Sequence, residues 1–341
     1  MDALDILIIL IKIVVMFAVV LLTVAELVYT ERKISAWIQN RVGPNRVGWF
    51  GLLQPYADVV KLLLKEDIVP AAAKNFIHTL APILSIGVAF STLAVVPIAG
   101  PTITLFGREV QMVIADVNIG ILYVLALTSI GVYGITLSGW SSNNKYSLLG
   151  GLRSAAQMIS YELSMGLAIL SVVVLTGSLR MTEIVHHQAG WMWNMILQPV
   201  GFIVFVVASF AETNRTPFDL PEAEPELVGG YHTEYSSFKF ALFFLAEYAN
   251  MITASAIITT LYLGGWQVPY IELLGLPTGL VVTLQILAFM VKVAIMLFIF
   301  QWVRWSVPRF RYDQLMNLGW KVMLPIAIIN LVVTAFIVLV I

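Results

Sequence analysis

The chain has no cysteine among its 341 residues. That excludes disulfides, thiolate zinc sites and cysteine-ligated iron–sulfur clusters. Histidine is scarce too, with only His78, His186, His187 and His232. None lies deep in an apolar run, so axial ligands for a membrane haem are lacking. The adjacent His186 and His187 read as solvent-facing. Charged residues make up 11% of the chain and the net charge is -1, a balance that gives no reason to expect nucleic acid as a partner. The start, MDALDILIIL, is acidic and lacks the basic n-region of a secretory signal. The first apolar run is therefore expected to remain as a span.

What is abundant is apolar. Hydrophobic residues account for 60% of the chain and mean hydropathy is +0.91, beyond what a soluble domain of this size needs. A membrane span takes about 20 predominantly apolar residues. Eight segments qualify: 6–29, 79–99, 116–138, 155–177, 195–211, 240–263, 279–301 and 322–341. The fifth is the shortest. The expected fold class is an all-α polytopic membrane protein, one integral domain over 1–341, with eight transmembrane helices. Basic residues set its orientation. Fifteen of the nineteen fall in the connections 30–78, 139–154, 212–239 and 302–321. Those connections are expected on the cytoplasmic side, and both termini on the periplasmic side.

The first connection is too long for a turn. Within it Gln54, Asp58, Lys61 and Lys65 recur at i, i+4, i+7 and i+11, with Leu53, Val59, Val60, Leu62, Leu63 and Leu64 around them. That spacing predicts an amphipathic helix with Pro55 in its first turn, lying on the membrane surface. Its polar stripe faces either water or a slot beneath a docked partner. The second connection, GPTITLFGREVQ, reads as a short external loop or hairpin.

The stretch 208–239, ASFAETNRTPFDLPEAEPELVGGYHTEYSSFK, holds Glu212, Asp219, Glu222, Glu224, Glu226 and Glu234, with Arg215 among them. Pro217, Pro221 and Pro225 forbid a regular helix through it. A solvated linker is the plain alternative. Against that, Phe218, Leu220, Leu227 and Val228 are poorly placed in a loose loop. Close-packed like charges would have to share protons.

Charges also occur inside spans. Lys12 and Glu26 lie near span ends and can snorkel. Glu162 and Glu247 each lie about seven residues in from the cytoplasmic end, roughly 10 Å deep, and each has a tyrosine beside it. Lys292 lies near mid-membrane, where it needs a partner in the bundle. These groups form either a buried ion-pair network that fixes packing or a proton path.

The strongest local signatures are Glu31-Arg32-Lys33, QNRVGPNRVG at 39–48, QPYADVVKLLLKED at 54–67, GWSSNNKYSLLGGLRSAAQMISYEL at 139–163, AETNRTPFDLPEAEPELVGGYHTEYSS at 211–237 and RWSVPRFRYDQLMNLGWK at 304–321. On these the chain resembles, over almost its whole length, the quinone-site membrane subunit family of respiratory complex I, the proton-pumping NADH:quinone oxidoreductase. The resemblance implies a bacterial inner-membrane protein and eight spans. It implies a quinone tunnel and partner contacts formed by Glu31, Arg32, Lys33, Trp37, Arg41, Arg46, Gln54, Asp58, Lys61 and Arg215. It implies a coupling path through Glu162, Glu212, Asp219, Glu222, Glu224, Glu226, Glu247 and Lys292. Quinone is then the substrate, and no metal is held by this chain. NADH, FMN and the iron–sulfur clusters sit on peripheral-arm subunits, and further membrane-arm subunits and lipid are neighbours. Related complexes with another electron donor, and membrane-bound hydrogenases, share the motifs. A free-standing proton or cation transporter would favour an internal repeat, and none is evident.

Overall fold

The computed structural model describes residues 3–105, 108–220, 224–271 and 275–340. It is mostly helical. In chain order the elements are α1 (Ala3–Ile38), α2 (Gln54–Leu64), α3 (Asn75–Thr92), the strands β1 (Ala99–Leu105) and β2 (Arg108–Met112), α4 (Gly120–Ser141), α5 (Lys145–Thr176), α6 (Met181–His187), α7 (Asn194–Leu197), α8 (Pro199–Glu212), α9 (Glu224–Leu227), α10 (Ser237–Tyr262), α11 (Thr278–Ser306), α12 (Tyr312–Asn317) and α13 (Leu324–Val340). Six residues of π-helical winding, Leu318–Met323, join the last two.

Seven helices among the described residues are long and apolar enough to cross a membrane. The fifth expected span is different. Pro199 fits the first turn of a helix and starts α8 there, leaving 14 residues, or about 21 Å at the helical rise. That is short of a hydrocarbon core of about 30 Å. At the other extreme α1 has 36 residues and runs past its expected end at 29, because TERKISAWI contains no helix breaker. The expected hairpin is present: β1 and β2 pair antiparallel, with Leu105 opposite Arg108.

Small residues let the central helices approach closely. A Cβ on Gly134 of α4 would collide with Ser85 Oγ of α3, and one on Gly139 would collide with the Ser147 carbonyl of α5. The most enclosed helix is α10. Ala246, Ala249, Met251, Ile258, Leu261 and Tyr262 are all buried along it, so a polar group carried between them is held inside the bundle.

The connections rich in basic residues gather at one end. Ser236 Oγ accepts from the Ile68 amide at 2.9 Å, and Ser237 Oγ donates to the Lys65 carbonyl at 2.7 Å. Asn144 Nδ2 donates to Glu234 at 2.6 Å. Arg153 pairs with Glu226 at 2.7 Å and Arg309 with Asp219 at 2.9 Å. The acid-rich stretch is thus no loose linker. Phe218, Leu220 and Leu227 are 3–4% exposed, while Val228 turns outward at 63%. Gly150 and Gly230 meet here: a Cβ on Gly150 would fall 2.8 Å from the Gly230 Cα.

His232 packs edge-on against the rings of Tyr231, Phe240 and Phe244. That burial pushes its imidazole down to about 4, below an ordinary value of about 6.5. The unfolded chain therefore binds a proton that the folded chain refuses. The stability this confers is full above about pH 6.5 and is lost as pH falls towards 4. Melting of the detergent-purified protein is expected to drop across that window. His232→Phe is expected to blunt the drop; an unchanged pH dependence in that variant counts against it.

Candidate functional site

A network of charges lies buried where α1, α10, α11 and the turn after α8 converge. It starts from an apolar stripe. Val20, Val24, Leu27, Glu31 and Ile34 recur at three- and four-residue spacing on the buried face of α1, so the stripe that packs the helix also carries Glu31 inward. Glu31 is 7% exposed. Its Oε1 lies 2.6 Å from Arg304 Nη1 and its Oε2 lies 3.2 Å from Arg215 Nη1. The Tyr248 hydroxyl donates to Oε2 at 2.8 Å. On its other side Arg215 places Nε 2.5 Å from Glu247 Oε1, and its guanidinium lies 4.3 Å over the Tyr248 ring. The Arg215 side chain is only 3% exposed. Burying ions is costly unless pairing and hydrogen bonding are nearly complete. Here two carboxylates alternate with two guanidiniums, and a hydroxyl and a ring face add to them, although Nε, ion-paired with Glu247, and Nη2 of Arg215 find no hydrogen-bond partner among the described residues.

Glu247 also faces a cavity, which is shared by Glu212, Asn214, Asn250, Ser85 and Thr128. Glu162 lies close enough to Glu212 for their charges to interact, and Ser129 Oγ hydrogen-bonds to its carboxylate. So Glu31, Arg215 and Glu247 form one network, Glu247 and Glu212 share the cavity beside it, and Glu162 lies within reach of Glu212.

Other expected site residues lie apart from this core. Arg32 pairs with Asp58 at 2.7 Å, and Gln54 donates to Asp58 at 3.1 Å. Gln54 and Asp58 of α2 therefore face α1, while Val59, Val60, Leu63 and Leu64 face away at 53–83% exposure. Lys65 follows the end of α2. Lys33 reaches the Val42 carbonyl at 3.3 Å. Arg41 bonds Gln39 and Ser35. Trp37, Arg46 and Lys61 are exposed. Asp219 and Glu226 take separate arginines, Arg309 and Arg153. Glu222 lies outside the described residues, as does the side chain of Glu224, which opens α9.

Lys292 forms no ion pair with an acid among the described residues. Its ammonium donates to the carbonyls of Gly265 at 3.0 Å and Gln267 at 2.8 Å and lies 4.4 Å from the Trp193 ring centroid. Among the described residues its partners in the bundle are therefore backbone carbonyls and a ring face. The chain leaving α10 brings these carbonyls within reach by turning at Gly264 and Gly265, both with positive φ, a backbone region that suits glycine. Arg304 enters the sequence reading for orientation and as the first residue of the 304–321 signature, without a site role, yet it belongs to the site. So do the uncharged Ser129, Gln157 and Asn250, since a search for charge inside spans does not register amides and hydroxyls.

No group of three or more His, Asp or Glu among the described residues is placed to hold a metal. Fold and site together define a polytopic membrane protein whose polar interior is built for charge. Similarity to known proteins agrees on its kind. The chain belongs to the NADH dehydrogenase family, whose profile matches residues 11–335. NADH-quinone oxidoreductase subunit 8 of Rhodothermus marinus is 56% identical over 325 residues, covering 92% of each chain. An NADH-quinone oxidoreductase subunit of Cytophaga hutchinsonii is 53% identical over 306 residues, 90% of this chain and 89% of that one. Its counterpart from Salinibacter ruber is 54% identical over 325 residues, 92% and 91% respectively.

Proposed function

We propose that the chain is the membrane subunit of a proton-translocating NADH:quinone oxidoreductase that forms part of the quinone tunnel and couples quinone reduction to proton movement. It crosses the bacterial inner membrane eight times with both termini periplasmic. The short α8 completes its crossing with α7 before it, and α2 lies on the surface with its apolar face in lipid. Peripheral-arm subunits bring NADH, FMN and iron–sulfur clusters; further membrane-arm subunits flank the chain. Glu31, Arg32, Lys33, Trp37, Arg41, Arg46, Gln54, Asp58 and Lys61 shape the tunnel and its partner contacts. Glu162, Glu212, Asp219, Glu222, Glu224, Glu226 and Glu247 carry the coupling, and Lys292 braces the far end of the bundle on that path.

The observation that carries this reading is the position of Arg215 between Glu31 and Glu247. Quinone gains two electrons and two protons when reduced, so charge at the tunnel changes during turnover. A guanidinium shared by two buried carboxylates responds strongly to such a change, because the surroundings screen it little. Attraction towards the Glu31 side weakens the hold on Glu247, which then favours a proton from the cavity shared with Glu212. The test is Glu247→Gln in the assembled complex in vesicles. The expected result is loss of quinone-driven proton uptake at normal complex content, with reduction of a hydrophilic acceptor by the peripheral arm unchanged. Wild-type proton movement, or activity that simply tracks complex content, overturns the reading.

A further inference from the structure

Ser154, Gln157, Met158 and Tyr161 recur at i, i+3, i+4 and i+7 along α5, which places them on one helix face. All four are buried, and that face packs on the turn that carries Arg215. Gln157 is 0% exposed. Its Nε2 lies 2.8 Å from the Ala211 carbonyl, 2.8 Å from the Phe218 carbonyl and 3.2 Å from Asn214 Oδ1. Carbonyl oxygens only accept, so the amide must present its NH2 group, and its orientation is fixed by the site.

Ala211 and Phe218 stand on either side of Arg215. Between them the chain reverses: the Arg215 amide approaches the Phe210 carbonyl at 3.4 Å, and the Phe218 amide donates to the Arg215 carbonyl at 2.8 Å. Asn214 takes a left-handed φ of 50°, and its Oδ1 also accepts from Ser154 Oγ at 3.3 Å. One side chain thus clasps both ends of the reversal. The same turn supplies Glu212, Thr213 and Asn214 to the cavity. The other half of the amide gains nothing, since Gln157 Oε1 is buried without a hydrogen-bond partner. An apolar residue of that length would avoid this cost, so what distinguishes glutamine here is its NH2 group.

We propose that Gln157 is the positioning residue for Arg215, holding the 211–218 turn in the one register that sets the guanidinium between Glu31 and Glu247. The proposal rests on the function given above. Methionine at 157 matches the length but donates nothing. Glutamate matches the shape; ionised, it faces three acceptors, and protonated, it donates one hydrogen bond.

The test uses Gln157→Met and Gln157→Glu in the whole complex in native membranes. Turnover with quinone is read against complex content and against an artificial acceptor reduced upstream. Gln157→Met is expected to assemble and to lower quinone turnover roughly tenfold at every pH. Gln157→Glu is expected to recover towards wild type as pH falls, because only its protonated form donates. Wild-type turnover in Gln157→Met overturns the proposal, as do identical pH profiles in the two variants. Loss of complex with normal turnover per complex, or failure of both variants to assemble, assigns Gln157 to packing and also overturns it. If Glu247→Gln impairs proton uptake while Gln157→Met does not, this inference alone fails; if Glu247→Gln is silent, the functional reading fails with it.

Discussion

Arg215→Met is expected to abolish quinone turnover and to cut the amount of assembled complex severely. The side chain is nearly as long, so packing changes little. Charge changes completely: Glu31 and Glu247 lose the guanidinium between them, and Arg304 reaches only Glu31. Breaking a buried ion pair from one side costs about 3–5 kcal/mol, because the partner stays buried and uncompensated. Here two partners are stranded. Adding Glu247→Gln removes one of the stranded charges, so the double variant is expected to regain much of the lost complex while remaining uncoupled. Complex content by native gel and quinone turnover, measured in both single variants and the double, give the interaction directly. Normal content and turnover in Arg215→Met would remove the network from both stability and function.

Gly150→Ala is expected to have the second largest effect, through shape alone. The added methyl group would meet the Gly230 Cα and the Tyr231 amide nitrogen, each at 2.8 Å. Both are main-chain atoms, so no side chain can rotate away. Either α5 or the 229–236 segment must shift, and overpacking of this kind costs about 1–3 kcal/mol. Gly166, on the same helix, has nothing within 4 Å of its ideal Cβ. Gly166→Ala is expected to be neutral or slightly stabilising, by up to about 1 kcal/mol of helix propensity. Detergent melting temperatures of the two variants check the contrast. Equal shifts would show that helix propensity, not the close approach, governs both sites.

The helical bundle was largely legible because its signal is composition over long windows. Seven of the eight expected spans correspond to helices long enough to cross. The fifth fell short where Pro199 begins α8. The interior was legible only in part. Glu247, Glu162 and Arg215 stand out as charges in or beside apolar runs. Glu31 is named through the resemblance, at the head of the Glu31-Arg32-Lys33 signature, but its burial is not read from it; the stripe from Val20 to Ile34 was the available clue. The partner of Lys292 was beyond reach. It depends on two glycines folding the chain back so that carbonyls meet the ammonium, and carbonyls leave no mark in a sequence.

The fastening of Ser236 and Ser237 to the 62–68 segment has a consequence for synthesis. The Ile68 amide and Ser236 Oγ are 168 residues apart, and the bond from Ser237 Oγ to the Leu62 carbonyl spans 175. As the chain emerges from the ribosome, the first long connection has no anchor at this point until about seven-tenths of the protein has been made. Nascent chains stalled before residue 236 are therefore expected to leave 62–68 open to protease, and chains extended past α10 to protect it. The acid-rich stretch acts as a late clasp, and the surface around α2 becomes fully formed only after it closes.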